Sequence, residues 1–184
     1  MKNKTMTCYR WVTEDMTSEH NEKIKWEIGK WQKHEGEIEL CKKGLHACAS
    51  PLDSLNNVYG NRWFVSEAKG EIINDEDKFV ASEMRLVKEI PIIIIKRFAL
   101  FCAKQNLKYT KDEKVHSCVN VIKKYLDGKA TEEEIRAAWA AAWAARAAWA
   151  TREAVGAARA AAWAATRKEQ EEELKRLIKE EVGI

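Results

Sequence analysis

Proline and glycine are scarce in this chain, with two and eight residues in 184, so little interrupts regular structure. Long apolar runs are missing as well. The most aliphatic stretch, Ile90 to Ile95, is cut by Lys96 and Arg97, far short of the roughly 20 residues that span a bilayer. No membrane partner is expected. An excess of one charge is also absent: 32 basic and 29 acidic residues leave a net +3, and both halves of the chain are near balance. That excludes the strong electrostatic footprint of a nucleic-acid binder. The five cysteines are odd in number, without a Cys-x-x-Cys pair, and the N-terminal MKNKTMTCYRW lacks the apolar core of a secretion signal. Reduced thiols and a cytoplasmic location follow as expectations. There is no glycine-rich phosphate loop and no recognisable nucleophile turn.

What is present divides the chain in two. Residues 1–91 read as a β-rich module. Glu37-Ile38-Glu39-Leu40 alternates as a half-exposed strand, Leu45–Cys48 follows Gly44 as another, and Ser50-Pro51 starts a short helix with serine as N-cap and proline at the first position. Arg62–Ala68 and Lys78–Ile90 are two further strands, joined through Gly70 and the acidic turn 74–77, with Val80, Met84, Leu86 and Ile90 on one face. Residues 92–184 read as a helical bundle and oligomerisation region. Helices are expected over about 92–105 and 112–126, the second stopped by Asp127-Gly128. Thr131 and Glu134 then form a capping box. From 137 to 165, 18 of 29 residues are alanine, and Ala-Ala-Trp-Ala recurs around Trp139, Trp143, Trp149 and Trp163. Alanine makes this helical on propensity, and the indoles call for burial. Ile135, Trp149, Trp163 and Leu177 stand two heptads apart and can share one seam. Gly156 is expected to break this region into two antiparallel helices. Leu174, Leu177 and Ile178 form a narrow apolar stripe. The fold class is therefore α+β, a small antiparallel β-rich module followed by an Ala/Trp-rich bundle.

Chemistry-bearing residues concentrate in Cys41-Lys-Lys-Gly-Leu-His46-Ala-Cys48, with Cys8 and Arg10 upstream. Cys8, Cys41, His46 and Cys48 have zinc-ligand chemistry, but the spacing favours buried thiols beside a hydrogen-bonded histidine, so no metal or other cofactor is expected. In the helices, Arg136, Arg146, Arg152, Arg159 and Arg167 are interleaved with Trp139, Trp143, Trp149 and Trp163. Guanidinium and indole together can hold a planar anion, which makes Arg10, His46, Arg136, Trp139, Trp143, Arg146 and Trp149 the candidate ligand-binding set. The competing reading is that the indoles are core and the arginines solvated.

The segment from about Thr5 to Ile90 resembles an uncharacterised domain common in bacteriophage genomes. The residues that carry the likeness are Cys8-Tyr9-Arg10-Trp11, Trp26-Glu27-Ile28-Gly29-Lys30, Glu39 through Cys48, Pro51-Leu52-Asp53 and Lys88-Glu89-Ile90, with Leu45 where that family tends to carry an aromatic residue. Residues 112–165 resemble helical modules of phage and immunity-type proteins. The resemblance implies a phage origin, hence a host-cell cytoplasm. The leading expectation is a non-catalytic, homo-oligomeric accessory protein of possible counter-defence role that sequesters a nucleotide-like host signal or occludes a host protein. Gly44-Leu45-His46-Ala47, the helix after Pro51 and the late Glu89 are similar to ADP-ribosyltransferase-like folds. That likeness implies an NAD-using enzyme with Arg10, His46, Tyr59 and Glu89 in one pocket. A structural or assembly component of the virion is the third expectation.

Overall fold

The computed structural model describes residues 5–18, 24–147 and 157–183; the side chains at 106, 109, 139, 141–147 and 157–165 lie outside that description. Two compact units emerge, one of residues 1–92 with 171–184, the other of 93–170.

The first unit is built on five strands: β1 (Met6–Val12), β2 (Gln32–Lys33), β3 (Leu45–Ala47), β4 (Arg62–Asn74) and β5 (Phe79–Ile90). Their order is β1-β4-β5-β2, with β3 also pairing β5, and every pairing is antiparallel. The long β4–β5 hairpin is the frame. Its strands are rich in Phe, Val, Ile and Trp, which suit a pleated surface covered on both sides. Register slips at Val65/Ser66 and Lys69/Ile72 interrupt the alternation expected for β5. Met84 and Leu86 accordingly join Phe79 and Ala81 in the main core cluster, whereas Val80 and Ile90 are buried outside it. Glu37–Leu40, expected as a strand, is not one. The amides of Lys42 and Lys43 both turn back to the Glu39 carbonyl, at 3.0 and 2.9 Å, and this tight turn replaces the ladder a strand would need.

Both faces of β1 are covered. Cys8 and Val12 enter the core with Trp26, Leu45 and Phe64. On the other face Trp11 stacks on Trp63 at 5.4 Å, and Tyr9 lies 6.2 Å from the same ring. The two indole N–H groups end on Ser54, one on its carbonyl at 2.8 Å and one on its hydroxyl at 3.0 Å. This pins α1 (Pro51–Asn56) to the sheet, and Ser50 caps that helix as expected. The last turns of the chain complete the unit. Leu174, Leu177, Ile178 and Val182 are buried; Glu171 accepts from the Ser50 hydroxyl, and Lys88 donates to the Val182 carbonyl.

The second unit is helical: α2 (Ile92–Asn106), α3 (Glu113–Leu126), α4 (Glu132–Ala147) and the first part of α5 (Ala157–Val182). Asp112 caps α3, and Gly128 at φ +70° ends it. The capping box is closed in both directions, Thr131 N–H to Glu134 at 2.7 Å and Glu134 N–H to Thr131 Oγ1 at 3.2 Å. Those bonds hold the Glu134 carboxyl below its ordinary range. Cys118 and Val119 are buried on α3, which packs on α4. The expected break at Gly156 and the placements of Trp149 and Trp163 lie outside the described residues. The two described ends of the expected seam, Ile135 and Leu177, fall in different units. Among the described residues no helix is long and apolar enough to cross a membrane.

Candidate functional site

A cavity of about 290 Å³ opens in the sheet unit beside β1 and β3. Its walls come from Tyr9–Trp11, Ser18 and Ile24, the turn at Cys41–Gly44, His46–Cys48, Asn57 and Tyr59, and Lys78 at the entry to β5. These places are far apart in sequence. The pairing of β3 and β5, the Tyr9–Cys48 and Thr17–Lys25 bridges and the Asn57–Asp77 bond bring them to one spot.

Arg10 is the centre of the arrangement. One guanidinium nitrogen donates to the His46 carbonyl and another to Ser18 Oγ at 2.8 Å, while the guanidinium lies 4.6 Å over the Trp26 ring. Trp26 Nε1 donates to the same Ser18 oxygen at 2.9 Å. With both lone pairs of Ser18 engaged, its hydroxyl proton is left to donate elsewhere. Arg10 Nε is sealed from water and has no hydrogen-bond partner, and no carboxylate among the described residues pairs with it. Burial pulls the guanidinium down to about 10, with nearby Cys8 acting in the opposite direction. It therefore remains a cation at neutral pH. Lys42, Lys43 and Lys78 add positive charge to the lining, and no described Asp or Glu lines it. Lys42 is itself paired with Glu39 at 2.5 Å.

The turn preceding β3 sets the histidine. Cys41 holds φ +62°, a conformation uncommon for a side-chain-bearing residue, and so turns its amide inward to His46 Nε2 at 2.8 Å. A neutral imidazole accepting there carries its proton on Nδ1. Cys41 itself is exposed, and its hydrogen bond to Lys78 raises that ammonium's pKa. Cys8 and Cys48 differ: burial pushes both thiols up to about 12. At pH 8 each is thiolate in only about one molecule in ten thousand. Alkylation of the native protein at pH 8, followed by peptide mass mapping, should label Cys41 well ahead of Cys8 and Cys48. Equal labelling of the buried pair would contradict this geometry.

Among the sequence candidates, Arg10, Cys41, His46, Cys48 and Tyr59 line this cavity, whereas Glu89 does not. Glu89 is held by Arg62 through two bonds of 2.9 and 2.6 Å, which keep its carboxyl below its usual range. Cys8, Cys41, His46 and Cys48 do not assemble as ligands; among the described residues no three His, Cys, Asp or Glu side chains group closely enough to hold an ion. Arg136 is exposed on α4 in the helical unit. The side chains of Trp139, Trp143 and Arg146, and residue 149 altogether, lie outside the described residues. Sequence reasoning missed Ser18, Trp26 and Lys78 as members of the site. Lys42 and Lys43 stood in the Cys41–Cys48 motif, and their charge was the available signal.

Residues 6–96 match the family model described as Domain of unknown function (DUF7666). The likeness of this segment to an uncharacterised domain therefore holds. The match includes every residue lining the cavity and stops short of the closing turns 171–182. No curated protein and no solved structure matches the chain.

Proposed function

We propose that the sheet unit binds a small phosphorylated ligand in this cavity and retains it without chemical turnover. The observation that carries the reading is Arg10: a guanidinium with no described carboxylate partner, in the wall of a cavity that three lysines also line. Arg10 is half-buried, and a charge withdrawn from water without a counter-charge is costly. An entering anion offsets that cost and gains charge-assisted hydrogen bonds, for which the guanidinium fork suits phosphate. The Ser18 hydroxyl supplies a further donor. A volume of about 290 Å³ is at the small end of ligand sites. Retention without turnover is favoured by the chemistry of the lining, since the described walls offer no carboxylate and His46 Nε2 already accepts the Cys41 amide. A phage accessory protein that withdraws a host nucleotide signal would need such a site.

A phosphorylated nucleoside should raise the melting temperature of the full chain, less so as ionic strength increases. Arg10→Met, and Arg10→Lys to a smaller extent, should weaken binding about 10- to 100-fold, the range expected for a charge-assisted hydrogen bond. Calorimetric titration checks this. A wild-type protein indifferent to every phosphorylated compound would remove the proposal.

An NAD-using transferase is the second reading, favoured by the gathering of Arg10, His46 and Tyr59 at one cavity. The two separate cleanly. Incubation with NAD releases nicotinamide only under the enzyme reading.

A further inference from the structure

Tyr59, 43% exposed, lines a cavity that three lysines also line, and Val58 beside it in sequence is 50% exposed. Their loop is fastened on both sides. Before it, the Asn57 amide N–H donates to Asp53 O at 3.1 Å, and its side chain donates to Asp77 Oδ2 at 2.8 Å. After it, the Asn61 N–H donates to Val12 O at 3.1 Å. Gly60 holds φ +146°, and a Cβ there would stand 2.3 Å from the Val12 carbonyl oxygen. Only glycine lets the chain pass that close. Two residues between two such anchors have little backbone freedom, which holds the stem of the aromatic ring at the cavity and lowers the ordering cost of binding.

We infer that Tyr59 recognises a planar ring, and that the ligand is a nucleotide whose phosphate reaches Arg10 and Ser18 while its base stacks on Tyr59. This rests on the phosphate-binding reading above and adds the chemical class of the ligand. The layout matches the two ends of a nucleotide, with donors and cations inside for the phosphate and an aromatic surface at the rim for the base. A sugar phosphate would satisfy the first and leave the second in water. Stacking on an aromatic side chain tolerates any base and favours the larger purine surface.

The test is calorimetric titration of the full chain with AMP, UMP and ribose 5-phosphate. The wild-type protein should bind AMP more tightly than UMP, and both more tightly than ribose 5-phosphate. Tyr59→Ala should weaken AMP about 10-fold and leave ribose 5-phosphate unchanged, while Tyr59→Phe keeps the preference. Equal wild-type affinity for AMP and ribose 5-phosphate, or an equal loss of both in Tyr59→Ala, overturns the ring-recognition inference and leaves phosphate binding standing. If the wild-type protein binds none of the three, both fall.

Discussion

Leu174→Ala will lower the stability of the sheet unit by about 3 kcal/mol, the middle of the range for emptying a buried leucine site. Leu174 has no exposed surface and lies in the segment that completes this unit after a separate helical unit has intervened. Its neighbours on the helix, Leu177, Ile178 and Val182, are buried with it, and the segment is tied by Glu171 to Ser50 and by Lys88 to the Val182 carbonyl. A small domain holds only about 5–15 kcal/mol in total, so the loss is a large share. Urea unfolding read by tryptophan emission should show a clear fall in midpoint. Glu172→Ala, on the exposed side of the same helix, should shift stability by no more than about 0.5 kcal/mol. An unchanged midpoint for Leu174→Ala would mean that residues 171–182 are no part of this core.

That apolar stripe was visible in the sequence, but not what it covers. Periodicity at Leu174, Leu177 and Ile178 states that one helix face is buried; it carries no information about a partner some 80 or more positions earlier. The same division holds elsewhere. Local grammar was legible wherever a side chain answers its own backbone, as in the Ser50 cap, the Asp127-Gly128 stop and the reciprocal Thr131–Glu134 box. It misled at Glu37–Leu40, where alternation was genuine, with Ile38 buried between exposed glutamates, yet the chain turned before it could pair.

The site divides in the same way. Arg10 and His46 stood out as residue types, and the structure joins them directly through the His46 carbonyl. The partners that define what Arg10 can do were not legible. Trp26 and Ser18 meet it only because a loop folds back across β1, a relation that no motif spacing encodes. Glu89 shows the reverse error. Its place near the end of a late strand matched a fold analogy, but Arg62 claims its carboxylate. Analogy supplies residue types and positions, and the local charges decide which of them remain available.

Gly44→Ala will be comparably damaging, for two separable reasons. Gly44 holds φ +106°, and a Cβ there would stand 2.6 Å from Val80 Cγ2 and 3.0 Å from Ile38 Cγ2. The first strain is conformational, about 1–3 kcal/mol for a side-chain-bearing residue in a sparse region. The second is steric, another 1–3 kcal/mol or so for forcing atoms into a filled core. Val80 yields little, being fully buried on β5 opposite His46. Gly36 isolates the first effect, since it holds φ +100° with nothing within 4 Å of its Cβ position. Gly36→Ala should therefore cost only the conformational part, leaving Gly44→Ala lower by about 1–3 kcal/mol in denaturant unfolding. Equal losses in the two variants would show that Val80 moves aside freely. Because Gly44 lines the cavity and leads directly into β3, a shift there also moves His46, whose carbonyl anchors Arg10. Packing beneath the glycine thus fixes the position of the cation above it, and a methyl group too many in the core should be felt at the ligand.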